Sequence, residues 1–198
     1  MALACRDYLE MHGVIVGMSR TKDEDDPLTE EIKECNAFNP DLAVDIHNNA
    51  GGGDGFEAYY SISGGTGKTL AANLEAEVKR IGQNSRGIKT RKNSAGKDYY
   101  GFIRQTKCPA VIVEGVFVDN KADAAQADTD AECKAFGVAY AKGILKTLGV
   151  AEKNTTTGGE TATSGKLYRV QVGAYKEKSN AEAMAKKLKA AGFDAFVV

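Results

Sequence analysis

Ala110-Val111-Ile112-Val113 is an unbroken apolar run that stops at a carboxylate, Glu114. A strand that is apolar on both faces has to be covered on both, so this short stretch demands a sheet with helices above and below it. The rest of the chain offers those helices in alternation with further strands. Cys5, Leu9 and His12 lie at helical spacing, and Gly13 stops that helix. Asp26-Pro27 reads as a helix start with a capping carboxylate, followed by the stripe Leu28, Ile32, Cys35 and the breaker Asn39-Pro40-Asp41. Leu70, Leu74, Val78 and Ile81 repeat at helical spacing up to Gly82, and Phe136, Tyr140, Ile144 and Leu148 up to Gly149. Between these helices, residues 14–18, 42–47 and 56–62 read as strands. The alternation predicts an α/β domain over residues 1–150, with a largely parallel twisted sheet and helices on both faces.

Residues 151–165 break the pattern: Thr, Gly and Ser with scattered charge and no large apolar side chain, which is a linker composition. After it, residues 167–175 alternate as a strand, residues 180–191 are helical with Met184 and Leu188 inward, and Gly192 caps that helix before another strand begins. A small partial α+β unit over 166–198 is therefore expected. A chain of 198 residues that is 42% hydrophobic has material for one proper core and such an addition.

Several partners are excluded by charge and hydropathy. The net charge is -1 and the Lys and Arg residues are spread along the chain, so nothing calls for a nucleic acid. No apolar run approaches the roughly 20 residues that span a bilayer. The N-terminus lacks a basic start and a continuous apolar stretch, so it does not read as a signal peptide. Four cysteines (Cys5, Cys35, Cys108, Cys133) stand far apart with no CxxC pair and are expected to be reduced thiols.

Two polar residues sit where a buried strand ends. His47 closes Leu42-Ala43-Val44-Asp45-Ile46 before a glycine-rich, flexible turn at residues 51–55, and Glu114 closes the run that begins at Ala110. Open α/β sheets bind ligands beyond the carboxyl ends of their strands, so the two side chains can converge there. A neutral imidazole suits zinc, and a carboxylate partly desolvated by its strand suits a general base. From spacing alone a hydrogen-bonded strand-end histidine and an ion-paired glutamate are the simpler reading.

The wording around them carries more. Asp45-Ile46-His47-Asn48-Asn49-Ala50 resembles the S-I-H-x-N-A signature of the type 3 N-acetylmuramoyl-L-alanine amidases, and the segment from Pro109 to Asn120 resembles that family's P-A-x-L-V-E-x-G-F-x-S-N. Gly55-Phe56-Glu57-Ala58-Tyr59-Tyr60, Arg86-Gly87-Ile88-Lys89 and Phe102-Ile103-Arg104-Gln105-Thr106 look like the intervening blocks, in order, and Ser19-Arg20-Thr21-Lys22-Asp23 is similar to its T-R-x-x-D turn. The resemblance implies a peptidoglycan hydrolase that cuts the amide between N-acetylmuramic acid and the L-alanine of the stem peptide. It makes His47 a zinc ligand and Glu114 the catalytic carboxylate acting on a zinc-bound water. Asn49 and Arg104 are candidates for holding substrate, with structural roles open beside them.

The family takes two further ligands from a G-H-G-G loop and from the start of the first helix. This sequence opens inside that helix, so the expectation is a chain lacking the first strand, with an incomplete zinc site and no activity of its own. His12, the only other histidine, reads as structural. Residues 166–198 look like the opening half of a sporulation-related repeat (SPOR) domain, which binds peptidoglycan glycan strands. The resemblance places the action at the bacterial cell wall, by an export route left open. The alternative is a peptidoglycan-binding protein that does not cut. Residues 63–69 resemble a phosphate-binding loop but have Ile62 where that pattern needs glycine, and are expected to form a turn capped by Thr66.

Overall fold

The structure is a computed structural model that describes residues 1–22, 24–152, 182 and 186. The expected linker from residue 153 onward and the SPOR-like unit at 166–198 lie outside the described residues, apart from two isolated positions. The α-helices and strands over residues 1–152 are, in chain order, α1 Ala2–Met11, α2 Leu28–Phe38, β1 Ala43–Asn49, β2 Phe56–Tyr60, α3 Gly65–Arg80, β3 Ser85–Lys89, α4 Gly101–Gln105, β4 Ala110–Phe117, α5 Lys121–Ala124 and α6 Asp130–Leu148.

The strands form one sheet in the order β1-β4-β2-β3. β1 and β4 run parallel, as do β2 and β3, while β2 and β4 run antiparallel. The expected α/β architecture with helices on both faces is what the chain forms, and its sheet is mixed. Few residues separate β1 from β2, yet they do not pair, because β4 is inserted between them. The connection crosses the end of β4 and is anchored there, where a flexible turn was expected. Asp119 accepts from the backbone N–H groups of Gly51 and Gly52 at 2.7 and 2.8 Å, and the buried Asp123 accepts from Gly55 N–H and Phe117 N–H. Gly53 passes so close over Phe117 that a Cβ would lie 2.3 Å from the ring.

Successive side chains of each strand separate two cores. Phe56, Ala58, Val111 and Val113 point to one face, under α1, α3 and α6, with Leu70, Leu74, Val78, Phe136, Tyr140 and Leu145. Ala43, Ala110 and Ile112 point to the other, under α2 and α4, with Ile32, Phe102 and Ile103. α6 begins in a capping box of Thr129 and Glu132 and ends at Gly149 in the left-handed conformation, φ 70°. Its two glycines admit its neighbours: a Cβ at Gly137 would meet the Met1 carbonyl, and one at Gly143 would lie 2.9 Å from the Leu74 backbone.

Three local expectations are corrected. Residues 14–18 form no strand: Val14 and Val16 pack against the first core and Ile15 is 86% exposed, so the alternation of a strand is present without a paired neighbour among the described residues. Asp26 does not cap α2, whose N-cap is Pro27 with no side-chain bond; Asp26 Oδ2 is buried without a hydrogen-bond partner. Thr66 lies inside α3, and the preceding turn is tied instead by Asp98, which accepts from Ser61 Oγ at 2.7 Å and from Ile62 N–H at 2.8 Å.

The close approach of α3 and α6 gives a direct check. Gly143→Ala places a methyl against the Leu74 backbone and should cost about 1–3 kcal/mol in denaturant unfolding, as overpacking does. A variant as stable as the parent would contradict this helix contact.

Candidate active site

The face carrying α2 and α4 is apolar at the base of the sheet and turns charged toward the carboxyl ends of β1 and β4. Asp45 and His47 are two apart on β1 and project to the same side. In register, His47 lies beside Glu114 of β4, and Glu114 lies beside Glu57 of β2. Glu57 in turn meets Arg86 and Lys89 of β3. The result is a ribbon of ionisable side chains running across all four strands.

His47 donates through Nε2–H to Asp45 Oδ1 at 2.9 Å, with half of its side chain exposed. The hydrogen bond to Asp45 raises the His47 pKa above the ordinary histidine value against the opposing effect of burial, and the charges of Glu114 and Glu31 add to it. With Nε2–H on Asp45, Nδ1 keeps its lone pair free. A carboxylate on one ring nitrogen is the arrangement that orients metal-ligating histidines. Glu31 of α2 lies within electrostatic reach of the pair and is itself raised, first by burial and then by Asp45 and Asp26.

Glu114 is held differently. Its Oε2 is buried and has no hydrogen-bond partner. Burial pushes its carboxyl above the usual range, His47 pulls it back, and Asp45 and Glu57 push it up again. The neighbouring Glu57 is buried but satisfied: Oε1 accepts from Arg86 Nε at 2.6 Å and from Lys89, and Oε2 accepts from Tyr59 OH at 2.8 Å. Burial alone would raise it, yet the bonds from Lys89, Arg86 and Tyr59 outweigh that and hold it low. Two adjacent carboxylates are thus driven apart in proton affinity, Glu57 fixed as an anion and Glu114 poised to bind a proton.

The structure brings His47 and Glu114 together. Asn49 is beside them but internally engaged: its Nδ2 donates to Glu57 Oε2 at 3.4 Å and its Oδ1 accepts from Ala50 N–H. Arg104 donates through Nη1 to the carbonyls of Asp98 and Tyr99 at 2.7 and 2.8 Å, bracing that loop. His12 is buried, stacks on Tyr8 and contacts the Tyr8 carbonyl at 2.7 Å through Nδ1, on the α1 side of the fold. Asp45 and Glu57 were not singled out from the sequence. The period-two position of Asp45 relative to His47 was a readable signal; the partners of Glu57 were not.

Comparison with known proteins places the chain. The family model described as N-acetylmuramoyl-L-alanine amidase matches residues 1–146, and the SPOR domain model matches residues 138–198. The amidase CwlM of Bacillus licheniformis is 33% identical over 201 residues, covering 100% of this chain and 73% of its own length. The sporulation-specific N-acetylmuramoyl-L-alanine amidase of Bacillus subtilis is 32% identical, again over 100% of this chain and 73% of its own. Among solved structures, Cwp6 from Clostridium difficile superposes with a TM-score of 0.73 at 37% identity, over 74% of this chain and 24% of that one.

The Asp45 contact predicts a titration. Asp45→Asn should bring the His47 pKa down toward about 6.5, as read by NMR of the imidazole resonances. A folded-state pKa above the unfolded one gives stability that is complete below the unfolded value and fades as pH rises through the folded one, so the variant should also lose that slope. An unchanged His47 titration would contradict the assigned hydrogen bond.

Proposed function

The chain belongs to the N-acetylmuramoyl-L-alanine amidase family of peptidoglycan hydrolases, and on that premise we propose that Glu114 is its proton-handling carboxylate and His47 its candidate metal ligand. The substrate bond is the amide between the lactyl group of N-acetylmuramic acid and L-alanine. Its hydrolysis needs a base to take a proton from the attacking water and an acid to return it to the departing amine. One carboxyl serves both turns when its proton affinity is raised and one oxygen is unencumbered. The unpartnered Oε2 of Glu114, in register with His47, is the observation that carries this reading. Glu57 is the positioning anion beside it, kept from competing for the proton by Arg86 and Lys89.

The family is generally zinc-dependent. His47 with its Asp45 partner fits one ligand of such a site, but no group of three or more His, Cys, Asp or Glu among the described residues is placed to hold a metal ion. One imidazole does not hold a catalytic zinc. The steps assigned to Glu114 stand on this chain's own groups.

The second reading is a peptidoglycan-binding protein that does not cut; the incomplete ligand set favours it. In both readings residues 1–150 face the wall substrate, residues 151–165 link, and the SPOR-like residues 166–198 engage glycan strands at the bacterial cell wall. No helix among the described residues is long and apolar enough to cross a membrane.

The experiment is release of new amino groups from purified cell walls by the full chain, with zinc supplied, against Glu114→Gln. On the hydrolase reading the parent releases L-alanine amino termini and the variant is slower by about 10²–10⁴-fold; on the binding reading neither releases any. At neutral pH the variant should melt no lower than the parent, because a carboxyl raised on folding costs stability once the pH exceeds its unfolded value. Equal release by the variant would remove the role given to Glu114. Sedimentation with the walls without any release by the parent would establish the binding reading instead.

A further inference from the structure

Cys35 and Cys108 are 73 positions apart and meet under α2, on the outer side of the second core. Cys35 sits in the last turn of α2, and Cys108 in the segment between α4 and β4. Both are partly buried, and both pack against the cluster of Ile32, Phe102, Ile103 and Ile112. Each thiol feels the other: the coupling favours the proton on Cys35 and the thiolate on Cys108. The two segments are fixed together independently of the sulfurs. The Asn36 side chain donates through Nδ2 to the Gln105 carbonyl at 3.0 Å and accepts through Oδ1 from Lys107 N–H at 2.8 Å. That clamp spans the residues next to each cysteine and keeps the pair in register.

We propose that Cys35 and Cys108 are a dithiol–disulfide site, at which a low-molecular-weight disulfide oxidises the native protein to an intramolecular cross-link between α2 and the base of β4. In the first step the Cys108 thiolate attacks one sulfur of the small disulfide, forming a mixed disulfide and expelling one thiolate. In the second the Cys35 thiolate attacks the Cys108 sulfur, forming the protein S–S bond and expelling the other. The protein loses two electrons and two protons; the small disulfide gains both and leaves as two thiols. Cys108 is the attacking thiol because its thiolate is the easier to form: burial pushes Cys35 up to about 11, while Cys108, also raised by burial, is relieved by Cys35. The Asn36 clamp and the shared apolar cluster hold the two cysteine-bearing segments side by side. Neither of the other cysteines competes: Cys5 is buried on the inner side of α1, and Cys133 donates to the Ala127 carbonyl at 3.3 Å on the far face of the sheet. A bond here closes a long loop and ties the helix carrying Glu31 to the strand carrying Glu114.

The test is incubation of the full chain with oxidised glutathione in native buffer, followed by non-reducing peptide mapping and thermal melting. The expected product is a Cys35–Cys108 linked peptide pair that has lost two hydrogens, with Tm higher by roughly 5–10 °C and restored to its starting value by reductant. Cys35→Ser and Cys108→Ser should each abolish the cross-link and the shift, whereas Cys133→Ser should keep both. Stable glutathione adducts without the cross-link would overturn the proposal. So would a cross-link that forms only in denaturant, involves Cys133, or lowers Tm.

Discussion

The pairing of β4 with β1 on one side and β2 on the other decides where every ionisable group of the site stands. Parallel register with β1 sets Glu114 beside His47, and antiparallel register with β2 sets it beside Glu57. A slip of one residue on either side would turn these side chains to the opposite, apolar face. That face cannot accept them, because Val111 and Val113 are fully buried against α3 and α6. The hydrophobic core on one side of the sheet thus fixes the electrostatics on the other. The crossing of residues 51–55 over the end of β4, held by Asp119 and Asp123, locks the same register from above.

Much of this was legible in the sequence. Ala110-Val111-Ile112-Val113-Glu114 announces a two-faced strand with a carboxylate at its end, and the long helices α3 and α6 follow their apolar periodicity closely. What was not legible is strand order. The short connection between β1 and β2 suggests neighbours, and only the tertiary fold inserts β4 between them. Glu57 is unremarkable on its own strand, and becomes a fixed anion only when β3 brings Arg86 and Lys89 across from 29 and 32 residues away. The thiols of Cys35 and Cys108 are invisible as a pair for the same reason. Residues 14–18 failed in the other direction, since alternation reports burial on one side and says nothing about whether a backbone neighbour exists to complete a strand.

Neutralisation by Arg86 and Lys89 lets Glu57 remain charged next to Glu114, and that fixed charge helps raise the proton affinity of its neighbour. Asp45 does the converse for His47, favouring the protonated or N–H-donating ring and orienting it. Asn49 and Arg104 hold the frame: one braces Glu57, the other the loop after Asp98. The proposed chemistry is therefore proton transfer by one carboxyl beside one oriented imidazole, on a chain of the N-acetylmuramoyl-L-alanine amidase family.

β4 presents Glu114 as a carboxyl that burial and the neighbouring Asp45 and Glu57 push above the usual range. A site-resolved titration of its carboxyl carbon by NMR, in the metal-free full chain, tests it most directly. The account predicts a pKa above the ordinary glutamate value of about 4.3, falling when Glu57 is changed to Gln. A value at or below the ordinary one, unmoved by that substitution, would contradict it.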